Sequence, residues 1–332
     1  MNPNTTRTIM TNTTTETSSS RTAGLLLLGL LGGIFWAGCG PSFDPASLIT
    51  TTRVLGARVE VEGAPDRATP LPGETADVTW LVTSPEATPP LGWAFALCTP
   101  GTVGGKTSLG CESAPLALFE GSASPPRIAI SVPSVDVLGS ATSLVLYGEL
   151  CSGAGSVPIF DPQSGIPNCT GGGGTTASLD IPLQLGGDAN HNPTADRAFT
   201  FDGQAWPALA PGDDPCVVSP QASAGTQDHV IGNTTEGSDR EPYTAMLGDP
   251  PVATPERESL QISQFTTAGK LKSQFSFVEA TDDNAETTVD VTWEAPPAAE
   301  VPAAGLPVTF TFVVRDDRGG IDWTTRAACV VQ

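Results

Sequence analysis

The chain has 332 residues, with 36 acidic side chains against 15 basic ones and a formal net charge of −21. That balance excludes a nucleic-acid binder working through a basic face, because neutralising phosphates takes clustered Lys and Arg. With 36 Gly, 31 Pro, 6% aromatic residues and one apolar stretch near spanning length, the composition also argues against a multi-span membrane protein.

Met1 to Ser20 is rich in Asn, Thr and Ser and has no apolar periodicity. Arg21 follows, and from Ala23 to Gly38 the chain runs uncharged through Leu25, Leu26, Leu27, Leu28, Leu30 and Leu31. A basic residue, a short apolar core and then small residues describe a secretory signal peptide. As a helix the apolar run reaches about 24 Å, short of a hydrocarbon core of about 30 Å, so a permanent transmembrane helix is the weaker reading. Translation starting at Met10 would give a leader of more usual length.

The run ends in Ala37-Gly38-Cys39-Gly40. This resembles the lipobox of bacterial lipoproteins, with Trp36 where Leu is usual. The resemblance implies a signal peptide over 1–38, diacylglycerol on the thiol of Cys39, and a lipid-anchored tether over 39–46 that makes the membrane a partner. A mature lipoprotein carries the two or three chains that stable anchoring needs. Gly40, standing where an Asp would retain the protein at the inner membrane, implies the outer membrane, on its periplasmic or its cell-surface face. An ordinary signal peptide followed by a stray cysteine is the competing reading.

Six further cysteines remain: Cys98, Cys111, Cys151, Cys169, Cys216 and Cys329. An even number in an exported chain implies disulfides. Six allow fifteen connectivities; proximity and the domain boundary favour Cys98–Cys111, Cys151–Cys169 and Cys216–Cys329. No pair has C-x-x-C spacing, and His191 and His229 have no neighbour at ligand spacing, which argues against zinc.

Behind the tether the pattern is all-β: short β-branched segments between Pro, Gly, Asn and Asp clusters. Strands are predicted near Arg53–Val61, Ala76–Val82, Ala94–Cys98, Leu116–Phe119, Arg127–Val132, Ser143–Cys151 and Ala177–Leu185. Arg58-Val59-Glu60-Val61 alternates strictly, and so does Asp77-Val78-Thr79-Trp80. Gly186 to Pro193 has linker composition, placing a boundary between a β-sandwich over 47–187 and a second over 188–332. In the second half, strands are predicted near Ala198–Phe201, Leu260–Phe265, Leu271–Phe277, Thr288–Trp293, Val308–Val314 and Trp323–Val331. Cys216 to Glu258 is polar and rich in Pro and Gly, and reads as a large surface loop or a partly disordered stretch.

Val308 to Val314 alternates cleanly, meets Arg315-Asp316-Asp317-Arg318-Gly319-Gly320, and resumes as a strand at Ile321. Asp and Gly supply the turn geometry of a hairpin. This closing hairpin resembles that of bacterial immunoglobulin-like, PKD-like and cadherin-like modules. About seven strands in the first half suit a sandwich of the same general kind. Such folds host many functions and select none.

Little in the sequence carries chemistry. Neither histidine follows a strand end, no G-x-S-x-G elbow is present, and both read as solvated loop residues. Gly104-Gly105-Lys106-Thr107 lacks the earlier glycine of a P-loop, that position being Pro100. Carboxylates are abundant, but nothing singles out a catalytic pair. Calcium is the one cofactor with an argument. Asp282, Asp283 and Asn284, with Asp316, Asp317 and Asp322, lie beside predicted strand ends, where loop oxygens can gather around the ion. The competing reading is that Asp and Asn are simply good turn formers. Trp93 and Trp206, beside Pro and Gly, are the candidates for an exposed sugar platform, although core packing is the better fate for each. The leading expectation is a non-enzymatic envelope protein that binds or scaffolds a protein partner, with a carbohydrate binder as the alternative.

Overall fold

The computed structural model describes residues 45–332 apart from 87, 104–105, 112–113, 154, 162–163, 172 and 226; of 102, 103 and 106–110 it describes the backbone alone. The signal peptide and Cys39 lie outside the described residues. What is described is nearly all β, in two sandwiches.

In the first half the strands are β1 (Arg53–Val61), β2 (Thr75–Thr83), β3 (Gly92–Cys98), β4 (Pro100–Val103), β5 (Lys106–Cys111), β6 (Ala117–Gly121), β7 (Arg127–Ser131), β8 (Ser143–Cys151), β9 (Pro158–Phe160), β10 (Pro167–Cys169) and β11 (Gly174–Pro182). A three-stranded sheet, β1-β2-β7, faces a four-stranded one, β11-β8-β3-β6. The alternation of β1 explains its place: Ala57, Val59 and Val61 are buried while Arg58 and Glu60 stay half-exposed. Between the sheets Trp80 stacks on Phe95 at 4.8 Å, with Leu97, Ile130, Leu144 and Leu146 around them. Each such side chain stabilises the fold by about 2–3 kcal/mol on burial. Two hairpins, β4–β5 and β9–β10, are held to this sandwich by Cys98–Cys111 and Cys151–Cys169.

In the second half the strands are β12 (Phe199–Phe201), β13 (Gln204–Ala205), β14 (Gln221–Ser223), β15 (Asp228–Glu236), β16 (Pro242–Leu247), β17 (Val252–Arg257), β18 (Leu260–Thr266), β19 (Lys270–Leu271), β20 (Phe275–Val278), β21 (Glu286–Glu294), β22 (Leu306–Asp316) and β23 (Ile321–Val331). The sheets are β13-β12-β15-β21-β19 and β14-β23-β22-β18-β20, with β16–β17 a separate hairpin. Their shared core is aromatic: Trp206 and Trp293 each meet Phe310 edge-on, at 5.2 and 5.0 Å. Cys216–Cys329 ties a single helical turn, Pro215–Val218, to β23. All three disulfides follow the pairing that proximity favours.

Three features depart from the sequence reading. The polar stretch after Cys216 is no loop: it contributes β14, β15, β16 and β17. Leu271–Phe277 is not one strand, because β19 pairs with β21 in one sheet while β20 pairs with β18 in the other. The boundary segment is not a free linker. Asn190 is wholly buried, and its backbone N–H and C=O bond the Thr69 hydroxyl and the Ala68 N–H.

Candidate functional site

The junction between the sandwiches is where most of the unexpected chemistry gathers. Its apolar centre joins Leu55 and Leu81 of the first sandwich to Phe265, Val313, Ile321 and Trp323 of the second. A bulge between Val54 and Gly56 brings β1 against the β22–β23 hairpin. A Cβ on Gly56 would stand 2.5 Å from the Ile321 Cδ1, so any larger residue here must push the end of the Ile321 side chain aside. Ile49 seals the cluster, and its segment pairs with the second sandwich: Ile49 N–H donates to the Thr266 carbonyl and Thr266 N–H to that of Ser47, both at 2.8–2.9 Å. The residues that open the expected first domain therefore dock on the second.

Polar bonds close the rim. Arg58 reaches Asp322 at 2.7 Å, and the other Asp322 oxygen accepts from Ala195 N–H. Asn192 donates to the Val59 carbonyl at 2.8 Å and accepts from Ile321 N–H at 3.0 Å, bridging the two sandwiches with one amide. Arg315 donates to the Leu55 carbonyl and to the Ser263 hydroxyl. Burial pushes its guanidinium pKa down.

Beneath the linker lies a knot of acids. Asp316 is buried and accepts from Arg318 N–H and Gly320 N–H, both at 2.8 Å, and from the Asn190 side chain. Burial nevertheless raises its pKa. Glu258 is 1% exposed, takes Arg318 at 3.0 Å on one oxygen and accepts Glu241 N–H at 3.0 Å on the other. Burial first, then the charges of Asp316 and Glu241, push it up to about 7. Glu241 in turn pairs with His191 Nδ1 at 2.6 Å.

Beside this knot the junction opens a cleft of about 450 Å³. One wall is β1 from Val54 to Ala57, with the ring of Trp80 behind it; the opposite wall is β11 from Thr176 to Asp180. Arg315 and the Gly319–Ile321 end of the last turn close it from the second sandwich. Clefts of about 300–1,000 Å³ at domain junctions are where ligands bind most often. Sequence reading did not find this site, since it assembles from segments more than a hundred residues apart.

The sequence candidates fall elsewhere. Asp282 and Asp283 do not meet Asp316 and Asp317, and among the described residues no three acidic, His or Cys groups converge as metal ligands. The Asp282 carboxylate caps its own loop, accepting from Asn284 N–H and the Thr287 hydroxyl, which holds its pKa low. Asp283 points into solvent. The carbonyls of Glu279, Asp282 and Asn284, which could have faced an ion, instead accept from the buried guanidinium of Arg240. A cation of the chain itself fills that loop.

His229 is a correction as well: it is not solvated but buried on β15, stacked on Phe201 and paired with Asp202 at 2.7 Å. Among the described residues no Ser or Cys side chain bonds either histidine ring. Trp93 and Trp206 are both buried, their Nε1–H groups donating to the carbonyls of Ala123 and Ala327. They offer no stacking platform. Comparison with protein-family models finds no match, and comparison with curated protein sequences finds none either.

Proposed function

We propose that this chain is a lipid-anchored cell-envelope protein whose work is to hold a protein-binding surface close to the outer membrane. It performs no catalysis in this reading. Three disulfides support an oxidising, exported setting. The observation that carries the reading is the docking of Ser47–Ile49 into the junction, a few residues after the lipobox-like Ala37-Gly38-Cys39. Six residue steps separate Cys39 from Pro45, so the tether reaches at most about 22 Å. The sandwiches would stand near the lipid headgroups and not at the end of a long stalk.

The two sandwiches are bolted together by a buried apolar centre and bridging amides, which suits a surface presented in a fixed geometry. Their closing hairpin, β22 and β23, carries the resemblance to immunoglobulin-like, PKD-like and cadherin-like modules. The strong acidity favours cationic partners over anionic ones. With Trp93 and Trp206 buried, sugar binding loses the rings on which it rested.

The test is crosslinking in intact cells with a tagged full-length protein, followed by mass spectrometry. A reproducible protein partner is expected, lost when Cys39→Ser releases the protein from the membrane. Recovery of glycan alone, with no protein, would contradict the reading.

A further inference from the structure

The two sandwiches treat the free edge of their last strand differently. In the second, β14 lies parallel along β23, with Ala222 opposite Val330 and its methyl group buried in the core. In the first, among the described residues, the last strand β11 pairs with β8 alone and ends its sheet. The 450 Å³ cleft runs along this edge of β11, with Val54 to Ala57 of β1 as its other wall. From Thr176 to Asp180 the cleft follows β11 for about 14 Å, four strand rises.

Three properties of the cleft say what would fill it. Its inner wall, Trp80, Ala177 and Leu179, belongs to the sandwich core and accepts small apolar side chains. The Trp80 indole is buried, yet its Nε1–H has no acceptor among the described residues, which is costly unless a carbonyl or water serves it. Asp180 sits exposed at the mouth and has no ion-pair partner among the described residues, in contrast to Asp322 nearby, which pairs with Arg58.

We propose that the cleft receives an extended peptide of a partner protein, added along the outer edge of β11 as β14 is added to β23. Its small apolar side chains face Trp80 and Leu179, and a Lys or Arg lies opposite Asp180. Main-chain bonds supply the affinity in this mode, and alternate side chains supply the selectivity. The inference rests on the reading of the chain as an anchored binding protein and gives that reading a site.

The test uses the full chain in detergent and a phage-displayed library of random twelve-residue peptides. Enriched sequences are expected to alternate small apolar with polar residues and to contain Lys or Arg. The tightest peptide, added back, is expected to slow amide exchange from Thr176 to Asp180. Asp180→Lys, an exposed change that leaves the melting temperature in place, should weaken that peptide about tenfold and enrich acidic sequences instead. No enrichment, protection at another surface, or binding indifferent to Asp180→Lys would overturn the proposal. Crosslinking in cells separates the two levels. A partner still captured by Asp180→Lys refutes the cleft and leaves anchored binding standing, whereas the loss of any protein partner in the unaltered chain refutes both.

Discussion

Glu258 places a pH dependence in the junction that a single substitution should remove. The carboxyl is 1% exposed and lies between the Arg318 guanidinium and the Glu241 N–H, with Asp316 and the His191–Glu241 pair close by. Its pKa rises from 4.5 to about 7, chiefly because burial penalises the charged form. A raised carboxylate pKa means that the folded state binds the proton more tightly than the unfolded chain does. Stability from this group is therefore full below about pH 4.5 and falls as the pH climbs to about 7, staying low beyond it. At 1.36 kcal/mol per pKa step, the loss approaches about 3 kcal/mol. Glu258→Gln keeps the shape and cannot ionise. It should melt near the unaltered protein at pH 4.5 and, at pH 8, above it by on the order of 5 °C. Asp316, raised in the same direction, is present in both proteins, so the difference between their melting curves reports Glu258 together with its coupling to the Asp316 charge. Parallel pH profiles for the two proteins, or a variant less stable at pH 8, would refute this account of the acid knot.

Four more outcomes follow from the same structure. Arg240→Ala removes a buried guanidinium and the donors that serve the carbonyls of Glu279, Asp282 and Asn284, and should cost about 3 kcal/mol in a denaturant titration; because Arg240 already fills that loop, millimolar calcium should leave the melting temperature of the unaltered protein unchanged. Replacing Cys216 and Cys329 by Ser opens a loop of 113 residues and should cost about 5 kcal/mol by chain entropy, more than removing either shorter bridge. Gly56→Val drives a side chain into Ile321 and should split the single calorimetric unfolding transition expected of the paired sandwiches into two; a single transition in the variant would count against a junction that couples them.

How much was legible can be judged from individual strands. β1 and β2 alternate apolar with polar residues and stand where the sequence places them, because one face of each is core and the other is partly wet; β22 and β23 stand there too, although Phe310 to Val314 and Arg326 to Val330 are buried on both faces. β15 follows the same rule in residues that hide it. Its inward positions are His229, Ile231, Asn233 and Thr235, all buried, so the period of two is present while the hydrophobic signal is not. Leu271 to Phe277 reads as one apolar strand because hydropathy does not register a crossing from one sheet to the other. The linker reads as flexible since Asn, Asp and Gly are turn residues, yet Asn190 bonds Thr69 through its backbone N–H and Asn192 bonds the Val59 carbonyl through its side-chain amide. The aspartates offered as calcium ligands were visible as residues, but the arginine that takes their loop's carbonyls comes from a segment some forty residues away. The cleft leaves no local mark at all. It lies between β1 and the edge of β11, more than a hundred residues apart, and the approach of distant strands is not written in any one of them.

In the function proposed above, lipid attachment at Cys39 would turn two joined sandwiches into a membrane-held binding surface, so it is the claim to test first. Cells expressing the full-length protein would be fed an alkyne analogue of palmitate, and the purified protein probed for label beside a Cys39→Ser variant. The unaltered protein should carry the label and partition with the outer membrane, while Cys39→Ser should carry none and lose that attachment. Label that survives Cys39→Ser, or an unaltered protein that never takes it up, would contradict the account.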